Sequence, residues 1–139
     1  MRLGQTGVVA VLSFGRSSGT IGVMLDALII DDSAGFRASA RSLLETEGFA
    51  VNEAATGVEG IDAVRQRRPE LVLLDIQLPD IDGFEVAEQL AQLERPPTVI
   101  LTSSRDGADY GSLVSTSAAR GFIPKSDLSG AAVRSMLGV

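Results

Sequence analysis

The sequence predicts a doubly wound α/β fold, with five parallel strands in one open sheet and helices on both faces. Three observations carry this expectation. Short apolar runs alternate five times with segments in which apolar residues recur at helical spacing. The run "LVLLD", residues 71–75, is almost continuously apolar, as a central parallel strand covered on both faces must be. Ser33 and Thr56, both good N-capping residues, stand where a strand would hand over to a helix.

Each element follows from the same rules. Ala27 to Asp31 reads as strand one, and Ser33 caps a helix carrying Phe36, Ala40, Leu43 and Leu44 until Gly48 ends it. "FAVNEA", residues 49–54, alternates as a half-buried strand two. Thr56 caps helix two, which carries Val58, Ile61 and Val64 and ends near Arg68 and Pro69. After strand three comes the turn-rich loop "QLPDIDG", and Phe84, Ala87, Leu90 and Ala91 mark helix three. "TVILT" is strand four, followed by a weaker helix of about Ala108 to Ala118, rich in Ser and small residues. "GFI" is a short strand five, and Ser129 to Leu137 a last helix. Parallel neighbours need right-handed helical crossovers, and for five units the flavodoxin-like order 2-1-3-4-5 is the natural one. It sets the switch point between strands one and three, with ligands at the C-terminal ends of the strands.

Composition narrows the chemistry. The chain of 139 residues is 45% hydrophobic, carries a formal charge of −6 and has a pI near 4.6. One domain, residues 25–139, accounts for that length. The acidic balance argues against nucleic acid as a direct partner, because phosphate backbones are met by clustered Lys and Arg. There is neither cysteine nor histidine, so disulfides, Cys-built zinc sites and the commonest general base are excluded. Residues 1–24 read as a disordered extension, or as an upstream start with the true one at Met24. Their apolar stretch, Val8 to Phe14, is too short to span a membrane, and they make a poor signal peptide.

The candidate site gathers at the strand ends. Asp31 and Asp32 close strand one, and Asp75 closes strand three. Three converging carboxylates repel unless a cation sits among them. An all-oxygen set selects a hard ion, with Mg²⁺ preferred to Ca²⁺, and Mg²⁺ keeps waters that exchange with phosphate oxygens. Thr102 ends strand four at the same rim, and Lys125, the only lysine, follows strand five. Its ammonium suits an anion lodged beside the carboxylates. Pro79 and Gly83 shape the loop, while Asp80 and Asp82 read as solvated or as caps of helix three.

The stretches "LIIDDS", "LVLLDIQLPDIDGFE", "VILTSS" and "GFIPKSDL", in this order at the ends of strands one, three, four and five, resemble the receiver domain of two-component response regulators. The resemblance covers nearly everything from residue 26 to 137. It implies that Asp75 is the phosphoacceptor, taking a phosphoryl group from a phosphohistidine on a sensor histidine kinase or a phosphotransfer protein. Asp31, Asp32, Asp75 and the backbone carbonyl of Gln77 would hold Mg²⁺. Lys125 would pair with phosphoryl oxygens, Thr102 would hydrogen-bond one of them, and the small Ser103 would leave room. Phe122, three residues before the lysine, falls at the switch aromatic position and would act with Thr102. The small residues Ala34, Gly35 and Ala38 on helix one fall where receivers commonly dock a kinase. The sequence departs from many receivers at Ser126, where they carry a proline; here Pro124 precedes the lysine.

The expectation is therefore a stand-alone receiver: a cytoplasmic, bacterial phosphorylation switch, monomer or weak dimer, that acts by binding an unknown downstream protein. It would modify itself without turning over a dedicated substrate, and so is not an enzyme in the usual sense, and it would contact neither nucleic acid nor membrane. Three alternatives remain: a phosphorylation-independent interaction module, a receiver cut from a longer regulator with a DNA-binding output domain, and a flavodoxin-like cofactor binder or small phosphohydrolase. For a haloacid-dehalogenase-like hydrolase a second Asp is wanted two residues after the nucleophile, and Gln77 stands there instead.

Overall fold

A computed structural model describes residues 25–104 and 110–138. The expected extension 1–24, and the first part of the expected helix at Ala108, lie outside the described residues. The remaining elements alternate as expected: β1 (Leu25–Ile30), α1 (Ala34–Thr46), β2 (Phe49–Ala54), α2 (Gly57–Arg67), β3 (Leu71–Asp75), α3 (Gly83–Ala91), β4 (Thr98–Ser103), α4 (Ser112–Ser115), β5 (Gly121–Pro124) and α5 (Gly130–Leu137). All neighbouring strands pair in parallel, in the order β2-β1-β3-β4-β5.

Side-chain alternation sorts the strands' apolar residues onto two faces. Leu28, Ile30, Val72, Leu74, Val99 and Leu101 point to one side, where Ile61 and Val64 of α2 and Val86, Ala87 and Leu90 of α3 cover them. Ala27, Ile29, Leu71, Leu73, Ile100 and Ile123 point to the other, under Ala40 and Leu44 of α1 and Val133 of α5. Every residue of β3 is buried, which is what its unbroken apolar sequence requires. A fully buried Leu, Ile or Val contributes roughly 1.5–3 kcal/mol of transfer free energy, and twelve large side chains are buried almost completely here.

The helices start where their caps stand. The hydroxyls of Ser33, Thr56 and Ser129 accept the amides of Phe36, Glu59 and Ala132, and the carboxylate of Asp82 accepts that of Phe84. Asp80 departs from expectation. It caps α2 rather than α3, accepting the amides of Gly57 at 2.8 Å and Val58 at 2.9 Å across 23 and 22 residues of chain. These amides, Val58 first, hold its carboxyl below the ordinary value. The stabilisation is therefore complete above the ordinary carboxylate pKa and fades as pH falls through the depressed one. Asp80→Ala is expected to lower the thermal midpoint by a few degrees at neutral pH and by less under acid, read by melting curves.

The helix expected over Ala108 to Ala118 shrinks to Ser112–Ser115 among the described residues. The reason lies in its hydroxyls. Ser115 and Thr116 both bond back to the carbonyl of Ser112, and Ser117 to that of Val114, so side chains compete for acceptors the helix ladder would use.

Candidate functional site

Register brings the site together. Ile30 pairs with Leu74, so Asp31 and Asp75 end adjacent strands side by side. Asp75 in turn pairs with Thr102, and Ser103 with Pro124, which sets Lys125 one residue past the rim. Among the described residues, Asp31, Asp75, Thr102 and Ser103 are the polar ones buried in this otherwise apolar core. Asp32 is exposed at the mouth.

Carboxylate oxygens of Asp31, Asp32 and Asp75 lie within 4.8 Å of one another. Lys125 Nζ stands 2.7 Å from Asp31 Oδ2 and 3.7 Å from Asp75 Oδ2. The closer contact is an ion pair off the hydrogen-bonding direction. Asp31 Oδ2 and Thr102 Oγ1 are the two buried side-chain oxygens that lack an aligned partner among the described residues. Such groups are costly unless a ligand completes them. Both face the acidic site or end the strand beside it, and oxygen donors without nitrogen or sulfur fit a hard divalent ion.

The remaining bonds fix the acids in place. Asp31 Oδ1 accepts the Ser33 amide at 2.8 Å, while the Asp31 amide donates to Ala54 O at 3.0 Å. Arg37 donates to the Asp31 carbonyl at 2.7 Å and ion-pairs with Glu53, pinning α1 to the ends of β1 and β2. The Gln77 amide donates to Asp75 Oδ1 at 3.1 Å. Lys125 opens a single 3₁₀ turn, Lys125–Asp127, and its ammonium lies 4.4 Å from the centroid of the Phe36 ring.

Burial pushes the Asp75 carboxyl up to about 6, with repulsion from Asp31 second and Asp32 minor; the Gln77 amide and Lys125 oppose the rise. Burial wins because a carboxylate on the floor of the site loses water on most sides. Gly83 contributes by having no side chain. A Cβ there would overlap the Asp75 carbonyl oxygen and the Ile76 Cα, so α3 can start directly beneath the end of β3. Its amide donates to Ile76 O at 2.9 Å.

Asp31, Asp32, Asp75, Thr102 and Lys125 thus lie at or just past the C-terminal ends of their strands, and the Gln77 amide is bonded to Asp75. Phe122 sits half-buried opposite Leu101 on the α2–α3 face, against Tyr110. Arg37, Phe36 and Tyr110 were not foreseen as site residues. Phe36 and Arg37 sit within a turn of the Ser33 cap, which is the one local signal available for them.

Known proteins carry the same pattern. Residues 27–131 match the response regulator receiver domain family. The chain is 36% identical over 86 residues to the transcriptional regulatory protein AfsQ1 of Streptomyces coelicolor, covering 62% of this chain and 38% of that protein. It is 37% identical over 99 residues to the virulence factors putative positive transcription regulator BvgA of Bordetella pertussis, covering 70% and 47%. The chain therefore spans less than half the length of these relatives. Among solved structures, a CheY-like receiver domain protein from Methanospirillum hungatei superposes with TM-score 0.73 at 26% identity, over 84% of this chain and 92% of that one. The receiver domain of the putative regulator NarL from Mycobacterium tuberculosis gives TM-score 0.69 at 26% identity, over 83% and 98%. By sequence, fold and strand order, this chain belongs to the response regulator receiver domain family.

Proposed function

We infer that Asp75 accepts a phosphoryl group from a phosphohistidine on a kinase or phosphotransfer protein, and that the charge so placed switches which proteins the domain binds. The observation that carries this reading is the meeting of three carboxylates and the chain's one lysine at the strand ends, beside a buried hydroxyl with no aligned partner among the described residues. Asp31, Asp32, Asp75 and the Gln77 carbonyl are the residues to hold Mg²⁺. When bound, the ion neutralises charge on the phosphoryl oxygens.

Asp75 acts as the nucleophile through a carboxylate oxygen. The O–P bond forms as the P–N bond to the donor imidazole breaks, and the electron pair leaves with the imidazole. No base is required of this chain, which suits one without histidine. With its carboxyl at about 6, Asp75 is largely ionised, hence nucleophilic, near neutral pH. Lys125 moves its charge onto the new phosphoryl oxygens, and Thr102 Oγ1 donates to one of them. Phe122 follows Thr102 and carries the change to the surface of α4, β5 and α5.

Incubation with acetyl phosphate and Mg²⁺ is expected to add one phosphate by intact mass, and EDTA to prevent it. A folded protein that gains none would favour a phosphorylation-independent interaction module. A second reading concerns output. AfsQ1 and BvgA are by name transcription regulators, and each extends well beyond the matched part. This supports a receiver whose state controls a DNA-binding output domain, rather than one that stands alone and binds a separate target.

A further inference from the structure

Tyr110 occupies a position that the phosphoryl chemistry above does not use. Its phenol shares a hydrogen bond of 2.8 Å with Ser103 Oγ, and Ser103 is fully buried at the end of β4. Ser103 shares a face of β4 with Leu101, the face covered by α2 and α3. On that side the Tyr110 ring meets Phe84 of α3 edge-on, 6.0 Å between centroids, and leans against Phe122 of β5 at 5.8 Å. One side chain thus touches the residue next to Thr102, the helix that begins beneath Asp75, and the aromatic of β5.

We propose that Tyr110 is a positioning residue that ties Ser103 to the Phe84–Phe122 pair while Asp75 is free, and lets go when the acidic site gains a phosphoryl group. The proposal rests on Asp75 being the acceptor. Thr102 and Ser103 share a peptide. When the Thr102 hydroxyl turns toward a new anion, that peptide moves, and a hydrogen bond already at 2.8 Å tolerates little displacement before it weakens. Release of the phenol also removes the ring on which Phe122 leans. Because the tie exists in one state only, it opposes loading, and by reciprocity its removal must ease loading.

Tyr110 is the chain's one tyrosine and there is no tryptophan, so the tyrosine band of near-ultraviolet circular dichroism reports this side chain alone. Beryllofluoride, a phosphoryl mimic, is titrated with Mg²⁺ present while fluorine NMR counts the bound mimic. The wild-type tyrosine band is expected to decline in step with bound fluoride. Tyr110→Phe keeps the ring and loses the hydroxyl, and is expected to reach half-saturation at about fivefold lower beryllofluoride, the worth of one ordinary hydrogen bond. A band unchanged at full loading, or equal half-saturation in the two proteins, overturns the tie and leaves Asp75 standing as acceptor. A Tyr110→Phe protein that is merely less stable, with unmoved half-saturation, likewise overturns it. Should that variant fail to fold, the wild-type band against loading decides. No bound fluoride in the wild type overturns the acceptor assignment and the tie together.

Discussion

Asp75→Asn is expected to take up no phosphate from acetyl phosphate and Mg²⁺, and to be more stable than the wild type at neutral pH in EDTA. The first result follows from removing the proposed nucleophile. The second follows from the raised carboxyl. An Asp near 3.8 when unfolded and about 6 when folded favours the folded state in its protonated form. Its contribution is complete below 3.8 and is lost as pH rises through 6. Above that range the wild type carries a buried charge that the amide does not. A shift of this size corresponds to roughly 3 kcal/mol, and the unmatched donors of Asn give part of it back, leaving a gain of roughly 1–3 kcal/mol. Denaturant titrations between about pH 4 and pH 8 measure it, and the gap between the two proteins is expected to widen from about pH 4 to just above pH 6 and then level off. Lys125 keeps Asp31 as its partner at 2.7 Å, so the variant leaves no ammonium stranded. A full phosphate load on Asp75→Asn would show that another residue is the acceptor. A gap that narrows with rising pH would show that Asp75 is not the buried, raised group.

Gly83→Ala is expected to be the most damaging small substitution. Alanine gains up to about 1 kcal/mol over glycine within a helix, and less at a first helical position such as this one. Against that stands an overlap with two backbone atoms of Asp75 and Ile76, which cannot rotate aside. Overpacking against immovable atoms costs about 1–3 kcal/mol or more, so the loss wins. The site also shifts, because α3 can retreat only by dragging the end of β3. A displacement near 1 Å at a reacting group can slow a reaction by about 100-fold, and phosphate loading is expected to slow at least tenfold. Gly35→Ala is the fitting control. There a Cβ meets only Ser33 Oγ at 4.0 Å, and the change is expected to be neutral or mildly stabilising. Equal behaviour of the two variants in unfolding and in loading by intact mass would refute the close packing described at Gly83.

What could be read from the chain alone divides along a physical line. Strand ends, caps and sheet order depend on short-range pattern and on few permitted topologies, and Asp31, Asp75, Thr102 and Lys125 became neighbours once the order 2-1-3-4-5 was assumed. Ser33, Thr56 and Asp82 announced their helices because a cap acts within three residues. Asp80 did not, since it serves a helix more than twenty residues upstream, which is fixed by the packing of α2 on α3. Tyr110 was invisible for the same reason: its partners Ser103, Phe84 and Phe122 come from three elements. The short α4 was overestimated because spacing alone does not report how Ser and Thr hydroxyls divert carbonyls.

The bridge from Asp80 to the start of α2 has a bearing on how the loop after β3 meets an ion. Asp80 stands three residues beyond Gln77, and the two amides it accepts anchor that segment to a neighbouring helix. Preorganised ligands spare an arriving cation the entropy of immobilising chain. Were a divalent ion to enter, dehydration and Coulomb attraction would govern its affinity more than ordering of this loop.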